Sequence, residues 1–143
     1  MLPLWLTHTF LALLGFSGIY IFITLLTRGG LHPITLNFWF FLLTAIGFYI
    51  LSLFMHQSLS VPSKHYGLLA GLIIVAVFGN LFSVYAYASA PNAAYATAII
   101  STATVALALF SYVFLAAPFS ALKFIGIILS VVGVILISFG STK

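Results

Sequence analysis

The side chains able to do chemistry in this chain are few and of one kind. Its 143 residues include four histidines and many hydroxyls, but no Asp, Glu or Cys. Hydrolytic and proton-transfer centres usually need a carboxylate, a thiol, a metal or a Ser–His arrangement. No carboxylate exists here to orient a histidine beside a serine, so the chain is not expected to be an enzyme. His32, His56 and His65 fall in loops and share no metal-ligand spacing, so neither a metal nor a cofactor is expected. His8 lies in the opening turns of an apolar run. An imidazole titrates near pH ~6.5, which makes His8 the one candidate for proton coupling. The plainer reading is an interfacial histidine touching lipid headgroups.

Uncharged polar residues, in contrast, are arranged. Thr97, Ser101, Thr104, Ala108 and Ser111 follow steps of four, three, four and three, which is one stripe down a helix. Ala76, Asn80, Ser83 and Tyr87 make a second stripe, and Ser17, Tyr20, Thr24 and Thr27 a third. Polar groups facing lipid lose water without gaining partners, so these stripes should face protein or a wet cavity. Two readings stay open. Hydroxyls let membrane helices approach and bond across the gap, or they line a cavity. An amide at position 80 needs several partners and fits either role. Tyr87 and Tyr95 flank a short turn, where interfacial tyrosines are ordinary, and Trp39 suits the same belt. The residues expected to line a cavity are Ser17, Tyr20, Asn80, Ser83, Tyr87, Tyr95, Thr97 and Ser101. Gly126, Ser130 and Gly133 form a flat face on the last helix that a partner backbone could approach.

The elements that carry these stripes follow from composition. The chain is 64% hydrophobic and 3% charged, with four Lys and Arg in all, whereas a soluble domain is about a quarter charged. Lipid is the solvent such a surface needs. Arg28, Lys64, Lys123 and Lys143 are scattered singly, so no nucleic-acid patch exists. Apolar runs of about 20 residues cross a hydrocarbon core as helices. Five fit, at 4–26, 34–55, 66–88, 93–115 and 121–139, making one transmembrane domain over 1–143. Nothing alternates as barrel strands do. The first run is too long for a signal-peptide core and has no basic region before it, so it counts as a span. Arg28-Gly29-Gly30 stops the first helix and Pro33 suits the first turn of the second. Asn92 should cap the fourth. Ser120 should cap the fifth, with Phe119 and Phe124 as a staple, leaving the last two spans as a tight antiparallel hairpin.

The last third carries a resemblance. "YAYASAPNAAYATAIIS", a hydrophobic run, the turn "FLAAPFS" and "LKFIGIILSVVGVILIS" resemble one EamA-type repeat of the drug/metabolite transporter superfamily, most closely over 78–139. The closing helix carries that repeat's spaced glycines, Gly126 and Gly133-Val134, and is similar to the dimerising last helix of the small multidrug resistance proteins. The resemblance implies an all-α, five-helix bundle, half of a ten-helix transporter built from two inverted repeats. Two departures stand out. The family often has Gly-Glu before the last helix, where this chain has Ala116-Ala117. The glutamate by which small multidrug resistance proteins exchange protons for cationic drugs is also absent, so that exchange is not carried over.

A single repeat needs a second in opposite orientation, either another copy in an antiparallel homodimer or a paralogous half. Five spans put the ends on opposite faces. Arg28 and Lys143 then oppose Lys64 and Lys123, a tie that the amino terminus tips slightly toward an inside N-terminus and that suits dual topology. The expectation is a multi-pass carrier of the inner or plasma membrane. It would move a neutral, zwitterionic or amphipathic solute by alternating access, pivoting on the glycine face. An accessory or assembly subunit is the alternative. Replacing His8 with Gln should leave the pH dependence of uptake unchanged, and a flattened profile would make His8 the proton carrier.

Overall fold

The computed structural model describes residues 3–116 and 120–140, except the side chains of 123 and 137–140. Six α-helices and one 3₁₀ turn account for almost all of it: α1 (Leu4–Arg28), α2 (Pro33–Phe54), the turn Ser63–His65, α3 (Tyr66–Ser89), α4 (Ala93–Ser101), α5 (Ala103–Phe114) and α6 (Ala121–Gly140). Four stretches are long and apolar enough to cross a membrane: Leu4–Arg28, Pro33–Phe54, Ser63–Ser89 and Ala93–Phe114. A fifth, α6, is apolar over the shorter window Phe124–Leu136. This is an all-helical membrane protein of the multi-pass kind.

The breakers and caps act as local chemistry dictates. Pro33 occupies the first turn of α2, and the His32 ring accepts the Ile34 N–H at 3.3 Å. Asn92 caps α4, its Oδ1 accepting the Ala94 N–H at 3.0 Å. The Ser120 carbonyl accepts the Phe124 N–H at 3.0 Å, the bond that starts α6. Phe119, the other half of the expected staple, lies outside the described residues, as do Ala117 and Lys143.

Two compact units divide the chain at Ala88. In the first, α1 pairs with α2, burying Ile23 and Leu36 to 7% and 4% exposure. In the second, α4 and α6 are the closely paired helices, and Ala96 is buried. Most other large side chains are bare, Leu68 at 77% and Ile74 at 69% among them. Such a surface is untenable in water and costs nothing against acyl chains.

The fourth apolar run, expected as one helix over 93–115, is interrupted at Thr102. There the Thr102 N–H reaches Ile99 O at 3.1 Å and the Val105 N–H reaches Thr102 O at 2.9 Å. Both bonds span three residues where an α-helix spans four.

Helix ends show a second departure. After α1, the Leu31 N–H bonds Leu26 O and the Gly30 N–H bonds Thr27 O, the paired closure that needs one left-handed residue. Gly30 supplies it at φ +94°. The α2 end repeats that closure, Gln57 to Ser52 and His56 to Leu53, but the left-handed residue is His56 at φ 52°. Ala116, after α5, stands at φ 49°. A side chain there crowds its own carbonyl. His56→Gly and Ala116→Gly should therefore each stabilise the protein by about 1 kcal/mol, and Gly30→Ala should cost about as much. Unfolding by a denaturing detergent, followed by circular dichroism, checks the three signs.

Candidate functional site

Asn80, Ser83 and Tyr87 are spaced by three and four residues on α3 and so share one face. Tyr87 is buried at 2% exposure; Asn80 and Ser83 are half-buried. Across from Tyr87 stands Tyr20 of α1, ring centroids 5.5 Å apart and planes tilted by 54°. Tyr20 is itself stacked on Phe16, one turn earlier, at 6.4 Å. Ser17 sits one turn before Tyr20, as Ser83 sits one turn before Tyr87. The structure thus joins the polar stripes of α1 and α3 through a pair of tyrosines.

The Ser, Thr and Asn side chains of these two stripes also have partners on their own helices. Ser17 Oγ donates to Leu13 O at 2.8 Å, Thr24 Oγ1 to Tyr20 O at 2.7 Å, and Ser83 Oγ to Gly79 O at 2.8 Å. Asn80 Nδ2 donates to Ala76 O at 2.9 Å. The Ser and Thr protons and one Asn80 N–H are committed, while hydroxyl lone pairs and the Asn80 Oδ1 stay available as acceptors. Such back-bonding also explains why Ser17 is exposed. A hydroxyl bonded to the carbonyl four residues back tolerates an open helix face, so polarity alone does not force a stripe inward.

The second unit holds the remaining candidates. Tyr95 and Thr97 are half-buried and Ser101 is exposed. Thr97 Oγ1 donates to Ala93 O at 3.0 Å and Ser101 Oγ to Ala98 O at 2.6 Å. On α6, Gly126 and Ser130 are exposed and Gly133 is half-buried, with Ser130 Oγ donating to Gly126 O at 3.0 Å. A methyl group built on either glycine would meet nothing within 4 Å. Among the described residues, then, that face is uncovered.

His8 is exposed and stands twelve residues before Tyr20, about 18 Å along the helix axis at the usual rise. It does not join the tyrosine pair. His32, assigned to a loop by the sequence, is more than a cap, because its ring meets Tyr85 edge-on at 6.3 Å. An apolar groove of about 500 Å³ between α1 and α2 was also not foreseen. Ile23, Leu26, Leu36, Trp39 and Phe40 line it, with Thr44 as its polar residue, and Trp39 lies in its wall as well as at the expected belt. None of the eight cavity candidates lines this groove. Its signal, apolar residues at helical spacing, is the same as that of any lipid-facing stripe.

Residues 3–139 match the model of the EamA-like transporter family. No curated protein and no solved structure matches the chain significantly.

Single cysteines at 80 and 83 are expected to react with a charged, membrane-impermeant thiol reagent, while one at 74, on the bare apolar face, stays silent. Equal silence at all three would mean that the α3 face is packed or lipid-covered.

Proposed function

The chain belongs to the EamA-like transporter family, and from that premise we propose that it moves a small solute across the inner or plasma membrane by alternating access. The solute is a neutral, zwitterionic or amphipathic metabolite. The observation that carries this reading is the polar face of α3 with Tyr20 opposed to Tyr87, in a chain without a single carboxylate side chain. A desolvated cation there would find only ring faces and oxygen dipoles to offset its charge. A solute with its own internal or no net charge avoids that cost.

Five spans make one half of an inverted-repeat carrier. The second half is another copy in antiparallel orientation, or a paralogous chain, and Gly126, Ser130 and Gly133 are the pivot against which it rests. The bare α6 face supports this assignment, since close helix approach in lipid depends on small residues. Tyr95, Thr97 and Ser101 are the solute-facing candidates of the second unit, taken by itself. An accessory subunit without transport of its own is the second reading. It draws on the back-bonded hydroxyls, which need nothing from a solute.

Reconstitution into liposomes with a panel of amino acids and other small metabolites separates the two. Uptake of at least one by the protein alone is the expected result, and uptake of none favours the accessory role. Ser130→Leu should abolish crosslinking between copies and lower uptake about tenfold, the loss that ~1.4 kcal/mol of pairing would bring. Full crosslinking and full uptake in that variant would place the pairing face elsewhere.

A further inference from the structure

The interruption at Thr102 is built from side chains. In a continuous α-helix the Thr102 amide would serve Ala98 O and the Val105 amide would serve Ser101 O. Each amide instead bonds one residue short, to Ile99 O and Thr102 O. The two carbonyls left behind are the ones that hydroxyls occupy: Ser101 Oγ donates to Ala98 O at 2.6 Å and Thr104 Oγ1 to Ser101 O at 2.9 Å. Thr102 Oγ1 adds a bond to Ile99 O at 2.7 Å. All three hydroxyls reach three residues back. Elsewhere the hydroxyls of Ser17, Ser83 and Ser130 reach four residues back, and Ser52 near the end of α2 reaches three back singly; three such bonds within four residues set the Thr102 segment apart. In a bilayer a carbonyl that loses its amide has no water to turn to, and Ser or Thr side chains are the usual replacement.

We propose that Ser101, Thr102 and Thr104 form a hinge in the fourth span, where hydroxyls stand in for two backbone amides so that α5 can change direction relative to α4. The site of the hinge follows from the placement of its neighbours. Residues before Thr102 belong to the helix that pairs closely with α6, so α4 is the anchored arm and α5 the moving one. Amide and hydroxyl compete for the same carbonyls, which gives the segment two hydrogen-bonded arrangements, continuous and interrupted. Such an element suits alternating access, and discontinuous helices recur in carriers at the substrate and ion sites. Ser101 and Thr104 thereby act on their own backbone. Their role as the hinge's fasteners rests on the transport reading only for its use, while its geometry can be measured without transport.

The chain has no cysteine, so spin labels can be attached at single introduced sites. Labels on Ala94→Cys and Val113→Cys bracket the hinge, and excess unlabelled protein in lipid nanodiscs removes distances between copies. The native segment should give a broad distribution. Ser101→Ala combined with Thr104→Val returns both carbonyls to their amides. That variant should narrow the distribution to one distance, with the continuous arrangement gaining about tenfold in population. Thr102→Pro removes the amide at a φ of −63°, which a proline ring accepts. It should narrow the distribution around a different mean. Thr97→Ala, which removes a hydroxyl that displaces no amide, should leave the native breadth. If the double variant and the proline variant both keep the native distribution, the hinge is refuted, whatever the liposome assay shows. If the distances shift as stated and the unmodified protein moves no solute, the hinge stands and the transport reading falls.

Discussion

Each hydrogen-bonding group inside a bilayer must find its partner within the protein, because the acyl chains offer none. Here most partners lie on the same helix. Side-chain donors on α1, α3, α4 and α6 return to carbonyls three or four residues back, Asn80 included. Each span therefore enters lipid already paired, and tertiary contacts need supply only shape. That is why so few side chains are buried in either unit and why the helices can carry polar stripes at all. It also changes what a polar stripe means. A hydroxyl whose proton is committed to its own backbone presents lone pairs to whatever approaches, so the α3 face offers acceptors and aromatic edges more than donors.

Much of the fold was legible in the residues because membrane spans are written in composition and length. The starts of α2 and α4 were legible through Pro33 and Asn92, whose preferences are local. The end of α1 was legible through Gly29-Gly30. His56 and Ala116 were not, because a left-handed backbone on a non-glycine residue leaves no mark in its own letter. Structure supplies a reason for the glycine that the resembled repeats carry before the last helix: the position is left-handed, and this chain fills it with Ala116 at a local cost. The break at Thr102 was also hidden. Ser101 and Thr104 read as part of a stripe, and nothing in that spacing shows that three neighbouring hydroxyls would each take the third carbonyl back.

The candidate site divides along the same line. Periodicity placed Asn80, Ser83 and Tyr87 together, since three and four residues on a helix are neighbours under any packing. The opposition of Tyr20 and Tyr87 depends on which helix faces which, and no spacing within one helix encodes that. The α1–α2 groove escaped for the opposite reason, since its lining is indistinguishable from grease meant for lipid. Charge adds a final constraint. The sequence holds Arg28 and three lysines and no anionic side chain, so headgroups and solutes weigh heavily in its electrostatics.

The uncovered notch at Gly126 and Gly133 has a consequence for the membrane itself. Hydrocarbon tails fill a hollow on an exposed helix face, and a tail confined against a rigid wall loses rotational freedom that its neighbours keep. Displacing it by another helix returns that disorder to the lipid. Were a second helix to pair on this face, the strength of that pairing would be partly a property of the fatty acids around it, stronger where tails are disordered and lose most by confinement. The surrounding membrane would then help to decide how many copies stand together.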